Sequence, residues 1–479
     1  MRINLLLVLT LCLFTTEKTL AQTCDCKANF EWVKKTFEEN DAGFQYALNM
    51  KGKDAFEAHN QKIAEKVKTA KTTTECANVL DEWLRFFRNG HKYLVAKNPS
   101  PAPIQITTGT IPANWETLNI DVNDFKKEIA KKKDPEYEGI WKTQGYELGI
   151  TKKGNEYIAF VINSEAPGWT SGKLKFRINI ATKDATYYKW GFDEVKTRNV
   201  EFLGKNHLIV NNVSFKRVFP ENLKDEPKFE EFDKAINASS PYFVKRNATT
   251  CYLRIPSFHE ENIPIIDSIL NANKKLLLNT KNLIIDVRNN GGGSDFTYNS
   301  IIPYLYTNPI RRMGIEFFST KLNNQRMLKL IENEYFSASE KERFKRYYEV
   351  LEKHIGEFVN LDNKVVNIDT LKTQYKYPQN VGIIINGGCG SATEQFLLEA
   401  KQSKKVKLFG VTTFGSLDIS NMNMVVSPDG EFELGYCLSR SLRIPGFAID
   451  GKGLQPDYFM DDVIEEPDWI DFVNDTLNK

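Results

Sequence analysis

Gly390-Ser391-Ala392-Thr393-Glu394 falls where an apolar segment, Val381-Gly-Ile-Ile-Ile385, gives way to a helical pattern. A serine at such a junction presents its hydroxyl at a strand tip, beside N–H groups that the first helical turn leaves without partners. The residue types suit a nucleophile, with the Ala392 N–H placed to stabilise a developing oxyanion. The same residues spell a capping box, with Ser391 as N-cap and Glu394 as its reciprocal partner, and taken alone the motif reads more readily that way. A second loop changes the balance. Leu283-Ile-Ile-Asp-Val287 runs through Arg288 into Asn289-Asn290-Gly291-Gly292-Gly293. Glycines let a backbone approach a ligand closely, and two strand-end loops can converge above one sheet edge. The glycine run is neither a dinucleotide fingerprint nor a phosphate loop.

Taken together, these loops resemble those of the C-terminal processing (tail-specific) serine proteases and the related tricorn protease core. Leu283–Gly293 is similar to that family's D-x-R-x-N-x-G-G strand and oxyanion loop, and Ser391-Ala-Thr-Glu394 to its S-A-x-E nucleophile motif. Val411-Thr-Thr-Phe-Gly415 resembles the G-x-x-T-x-G that follows. Gly451-Lys-Gly-Leu-Gln-Pro-Asp457 resembles the closing motif, and Tyr252-Leu-Arg-Ile-Pro-Ser-Phe258 the strand that opens the core. The resemblance implies a nucleophilic Ser391, an oxyanion hole from the Ala392 N–H and the Gly292/Gly293 backbone, and supporting roles for Glu394 and Arg288. Asp286 and Arg288 are expected to form an ion pair that shapes the turn.

Serine–lysine members of the family place a lysine directly after T-x-G, where this chain has Ser416. A serine cannot act as the base that a desolvated lysine would be, and Lys405 and Lys407 lie before the motif. The tricorn branch takes its base from a histidine upstream of the core. Among five histidines, His91 in Phe87-Arg-Asn-Gly-His91-Lys-Tyr-Leu loosely matches that branch's D-G-H-T-like motif, with Asn89 for the acid and Lys92 for the threonine. Gly90 is expected to end a helix, so that His91 begins the next segment. The ordinary histidine pKa suits a base near neutrality. His259 is the second choice, and His59, His207 and His354 read as surface residues. For the group that orients the histidine, Asp450 and Asp418 are rival candidates.

Several elements must position these residues. Residues 22–98 read as a helical region, with Phe30, Val33, Phe37 and Leu80, Trp83, Leu84, Phe87 at spacings of three and four. A Pro-rich segment, Asn98 to Pro103, reads as a linker. Residues 137–220 change to short alternating segments that predict a small antiparallel β domain, and Glu221 to about Ser240 reads as a charged linker. Residues 242–465 alternate apolar strands with helices and hold all five motifs, interrupted by a charged helical insertion at 325–360. The expected fold is α+β overall, with a core of ClpP/crotonase-like type implied by the resemblance.

The first 21 residues read as a signal peptide: Arg2, the apolar run Leu5–Phe14, and Thr19-Leu20-Ala21 ahead of Gln22. That predicts export to the periplasm or the extracellular space, with no membrane span in the mature chain. Without Cys12, six cysteines remain, and a disulfide from Cys24 or Cys26 to Cys76 is expected in preference to metal binding at Cys24-Asp25-Cys26. Lys+Arg of 64 against Asp+Glu of 62 argues against a chain-wide basic surface for nucleic acid. The resulting expectation is an exported serine endopeptidase acting on peptide or protein through an acyl-enzyme, with no cofactor or metal. The alternatives are a non-catalytic peptide- or ligand-binding protein on a protease scaffold, and an acyl-CoA enzyme, which the export signal disfavours.

Overall fold

The computed structural model describes residues 24–97 and 115–479, apart from 144, 167, 190, 191, 193, 199, 212, 222, 335 and 462. The expected signal peptide, Cys12 and the Asn98–Pro103 linker lie outside the described residues. Four helices open the described chain: Cys26–Asn40, Phe44–Lys51, Lys53–Thr69 and Thr73–Leu84. The apolar residues spaced at three and four on the first and last of these are buried against each other, with Trp83 edge-on to Phe30 and Phe37. Cys26 and Cys76 form a disulfide between the same two helices, and Cys24 is a free thiol. Thr72 and Glu75 cap the fourth helix reciprocally.

The N-terminal region is not wholly helical. Tyr93–Ala96 is a strand that pairs antiparallel with Phe432–Ser441, Tyr93 opposite Gly435. Phe432, Leu434, Tyr436 and Leu438 therefore share one hydrophobic cluster with Phe37, Trp83 and Phe87. The N-terminal helices and the strand Phe432–Ser441 thus bury their apolar surface together, which ties residues 24–97 to the C-terminal half.

The C-terminal half is built on a six-stranded sheet, ordered Tyr242–Lys245, Thr250–Arg254, Asn282–Asp286, Asn380–Ile385, Val406–Gly410, Tyr458–Phe459. All neighbours are parallel except the first pair. The central strands are buried along their whole length apart from half-buried Asn380, as expected for parallel strands covered on both faces. One face packs on the helices Ile263–Ala272 and Ala392–Ala400, the other on the C-terminal helix Trp469–Asn478. The charged insertion forms two helices, Lys321–Glu332 and Ala338–Glu352. Within the expected 221–240 linker the structure has a helix, Pro227–Ile236. Pro227 occupies the first helical turn, where its missing N–H costs nothing, and Phe232 and Ala235 are buried; the charge of the segment lies on the other face. Among the described residues, no helix is long and apolar enough to cross a membrane.

Residues 139–219 form a nine-stranded antiparallel sheet with a separate apolar cluster on each face. Only three of its strands, Tyr146–Lys153, Glu156–Ser164 and Leu174–Asn179, stand out in the sequence. Most of the others have only four or five residues. Ala159 pairs with Phe176 and Phe160 with Leu174, so Lys175 is the extra residue of a β-bulge. The bulge turns the Lys175 side chain inward. Its ammonium nitrogen has no hydrogen-bond partner and lies 4.0 Å from the Trp169 ring centre and 4.1 Å from that of Tyr146. Burial pulls the Lys175 amine down to about 7.

Because the unfolded chain holds this proton up to the ordinary lysine value, the burial penalty is greatest at and below pH 7 and shrinks as pH rises toward 10. Lys175→Met is expected to stabilise the protein by about 1–3 kcal/mol at pH 7, the rings offsetting part of the full penalty. The gain should diminish at higher pH. Urea unfolding of both proteins between pH 7 and 9.5 checks this; an unchanged or lower stability of the variant would show that the rings fully compensate the charge.

Candidate active site

Ser391 stands between the buried strand Asn380–Ile385 and the helix Ala392–Ala400, at φ 56° and ψ −125°. Non-glycine residues adopt such backbone angles at a cost of about 1–3 kcal/mol. Two hydrogen bonds hold the turn: Ser391 N–H donates to the Ser416 carbonyl at 3.0 Å, and Gln395 N–H to the Ser391 carbonyl at 3.1 Å. The capping-box reading fails here. The Ser391 hydroxyl makes no cap bond. Glu394, fully buried, instead accepts from the Thr413 hydroxyl at 2.5 Å and from the Gly415 and Ser416 N–H groups at 2.8 Å each. Burial raises the Glu394 carboxyl above its ordinary value, against the pull of these donors. Glu394 thus fixes the 413–416 loop, leaving the Ser391 hydroxyl free of the helix end.

That hydroxyl meets His91: Nε2 lies 2.9 Å from Ser391 Oγ across 300 residues of sequence. His91 Nδ1 lies 2.6 Å from the Ile419 carbonyl. A carbonyl can only accept, so the neutral ring carries its hydrogen on Nδ1 and turns the lone pair of Nε2 to the serine. Burial is the main influence on the imidazole and lowers its pKa below the ordinary 6.5; the Ile419 bond and the Asp450 charge oppose this, and Arg88 adds to it. Gly90 does not end the preceding helix, which stops at Leu84. Phe86 and Phe87 N–H groups turn back to Trp83 and Leu84 instead. Gly90 is required by contact: a Cβ there would lie 2.1 Å from the Ser416 hydroxyl.

His91 has a left-handed backbone, φ 50°, and the Arg88 guanidinium holds its carbonyl, Nη2 at 2.8 Å. Arg88 in turn forms a two-pronged ion pair with Asp41, at 2.7 and 2.5 Å. The remaining capacity of Asp41 is filled by the N–H groups of Gly43 and Cys437, each at 2.9 Å. Burial works against the Arg88 charge, but Asp41 more than offsets it and holds the guanidinium pKa above its ordinary value.

Neither candidate acid touches the histidine. Asp450 accepts from the backbone N–H groups of Leu417 and Asp418 at 2.6 Å and of Ile419 at 3.2 Å. It orients His91 only through the position of the Ile419 carbonyl. Asp418, fully buried, accepts from Arg443 Nε at 2.8 Å and from the Ile449 and Asp450 N–H groups. On the other side of Ser391, the Ala392 N–H begins its helix and has no intrahelical acceptor. Gly292, at φ 106°, lies so close that a Cβ would sit 2.7 Å from Ser391 Cβ and 2.9 Å from Ala392 N. The Gly292 N–H itself donates to Asn290 Oδ1 at 3.0 Å, so it is engaged within the loop. Gly293 is bridged to Phe258.

Residues 249–460 match the model of peptidase family S41. Over that stretch the chain is similar to peptidase family S41. No curated protein sequence matches the chain. Among solved structures, mature CPAF superposes with a TM-score of 0.51 at 13% identity, over 95% of this chain and 96% of that one. CPAF complexed with lactacystin gives 0.52 at 12% identity, over 94% and 98%. At such identity the likeness is one of fold.

Beneath the glycine loop at 289–293, Asp286 and Arg288 pair at 2.7 Å, both fully buried. Tyr252 adds a hydroxyl at 2.9 Å, and Arg254 donates to the Asp286 and Arg288 carbonyls. Burial pushes the Asp286 carboxyl up, and the two arginines more than reverse it. Lys405 donates to three backbone carbonyls and Lys407 is exposed, so neither lysine faces Ser391. His259 is exposed beside the glycine loop. His59 is half-buried on Phe86 and His207 half-buried against Asp233, rather than on the surface. His354 is exposed next to Glu357. Among the described residues, no group of three or more His, Cys, Asp or Glu side chains is placed to hold a metal ion.

The Asp41–Arg88 pair passed unnoticed in the sequence because 47 residues separate its members. Arg88→Ala leaves the Asp41 carboxylate buried without its cation, and should destabilise the protein by about 3–5 kcal/mol. Arg88→Lys should recover only part of this, lacking the fork. Thermal and urea unfolding measure both; a loss below about 1 kcal/mol would mean that water replaces the guanidinium.

Proposed function

We propose that the protein is a serine endopeptidase in which Ser391 is the nucleophile and His91 the general base, in place of the family lysine. The observation that carries this is the 2.9 Å contact from His91 Nε2 to Ser391 Oγ, with Nδ1 held by a carbonyl. Ser391 Oγ attacks the peptide carbonyl carbon and its proton passes to Nε2. The Ala392 N–H, with the glycine loop against it, faces the developing oxyanion. As the C–N bond breaks, His91 returns the proton to the leaving amine, and water repeats the sequence to release the acyl group. Asp450 and Asp418 are positioning residues for the 417–419 backbone. Glu394 and Arg288 hold the two loops.

The same reading takes the core to be of ClpP/crotonase-like type, supported by five parallel strands with helices on both faces. It takes the substrate to be peptide or protein, and places the protein in the periplasm or outside the cell. Support for export comes from the apolar N-terminal run and from the Cys26–Cys76 disulfide, since such bonds persist in oxidising compartments.

A fluorophosphonate probe should label the wild-type protein at Ser391 and leave Ser391→Ala unlabelled. His91→Ala should lower kcat on an unstructured protein substrate by about 10³-fold or more. An unlabelled wild type without hydrolysis would favour a binding protein on a protease scaffold. His91 must be neutral to accept a proton, and burial favours that form. Activity should therefore persist as pH falls past the ordinary histidine value of 6.5 and fail only below it. A kcat/KM profile whose acid limb has its midpoint above 6.5 would remove His91 from the base role.

A further inference from the structure

A cavity of about 330 Å³ lies between the Phe44–Lys51 helix, the Phe87–Gly90 turn, the Gly415–Ile419 loop and the Pro445–Lys452 loop. We propose that it is the subsite for the residue following the scissile bond, and that it takes a large apolar side chain. This rests on the peptidase reading of Ser391 and His91.

Position comes first. The cavity shares walls with the histidine side of the centre. Gly90 adjoins His91 in sequence, Ile419 supplies the carbonyl on Nδ1, and Ser416 supplies the carbonyl that accepts from Ser391 N–H. Gly292, Gly293 and Ala392, on the oxyanion side, are absent from its walls. In acyl transfer the group protonated by the base is the departing amine, which must come within hydrogen-bond reach of Nε2. Chain beyond that amine therefore runs on the imidazole side, while the carbonyl oxygen turns to the Ala392 N–H.

The walls decide what fits. Tyr46, Ala47, Met50, Phe87, Ile419 and Ala448 supply the apolar surface. Three of the charged groups at the wall are already engaged. Arg88 is paired with Asp41, Asp450 holds three backbone N–H groups, and the Lys51 ammonium donates to the Phe86 carbonyl. An acidic or basic side chain entering the cavity would find no counter-charge there except exposed Lys452. The volume is at the small end for ligand sites, about 300–1,000 Å³, which suits one leucine, methionine or phenylalanine. Met50, 68% exposed, stands at the mouth.

Acyl-enzyme partitioning isolates this subsite. A peptide methyl ester acylates Ser391 with methanol as the leaving group, so nothing enters the cavity from the leaving side. Added amino-acid amides then compete with water. The amine attacks the acyl carbon, a C–N bond forms, the C–Oγ bond breaks, and the amine proton returns to Oγ through His91. Phenylalanine and leucine amides should capture the wild-type acyl-enzyme at least about tenfold better than glycine amide, with glutamate amide no better than glycine amide. Ala448→Trp, which fills the cavity, should reduce that preference to about threefold or less while ester hydrolysis stays unchanged. Should that variant fold poorly, Met50→Glu at the exposed mouth should raise capture of lysine amide over phenylalanine amide. Equal capture of phenylalanine and glycine amides by a normally acylating wild type would overturn the subsite and leave the peptidase reading standing. Failure of the ester to acylate Ser391, together with failure of a fluorophosphonate to phosphonylate it, would overturn both.

Discussion

The ion pair of Asp41 with Arg88 is the constraint on which the candidate active site depends. A buried charge pair is tolerable only when nearly all its hydrogen-bonding capacity is filled, and here the fillers come from three distant stretches of chain. Asp41 closes the first helix, Arg88 follows the fourth, and Cys437 lies in a strand of the C-terminal half. Satisfying the pair brings these stretches to one point. Arg88 then has a donor left for the His91 carbonyl, which turns the His91 backbone left-handed and aims its ring at Ser391.

The histidine is oriented without a carboxylate on its ring. Asp450 gathers three successive N–H groups, and the carbonyl of the last residue in that run, Ile419, meets Nδ1. A carbonyl selects the same tautomer that an aspartate would, but stabilises an imidazolium less, because it carries no net charge. Burial and the nearby Arg88 push in the same direction, toward a neutral ring at rest. A serine at position 416 fits this packing: the Ser416 hydroxyl already lies where a Cβ on Gly90 would collide, so a longer side chain would displace the turn that carries His91.

Much of the core was legible. The strands Thr250–Arg254, Asn282–Asp286 and Asn380–Ile385 announce themselves by apolar centres, Cys251–Leu253, Leu283–Ile285 and Val381–Ile385, since strands buried on both faces have no polar side to alternate. The glycine loop and the serine at the strand end follow from local backbone demands. The nine-stranded domain was legible only in part, because several of its strands have only four residues, too few to show a usable period. The helix Pro227–Ile236 was obscured by its charge, although its two buried residues, Phe232 and Ala235, lie at helical spacing. Ser391-x-x-Glu394 was ambiguous, as both a cap and a nucleophile turn use the same residues.

By itself the sequence determined the candidate nucleophile, the loop beside it and the likeness of the core to a peptidase family, because each depends on a strand, a turn and a glycine close together in the chain. It also narrowed the base to a short roster of histidines. Tertiary structure alone decided that His91 reaches Ser391, that Asp450 acts through a backbone carbonyl, and that Glu394 holds the 413–416 loop instead of capping a helix. Those outcomes depend on which distant groups complete a buried charge or carbonyl, and hydrogen-bond satisfaction across some 300 residues leaves no periodic trace in a sequence.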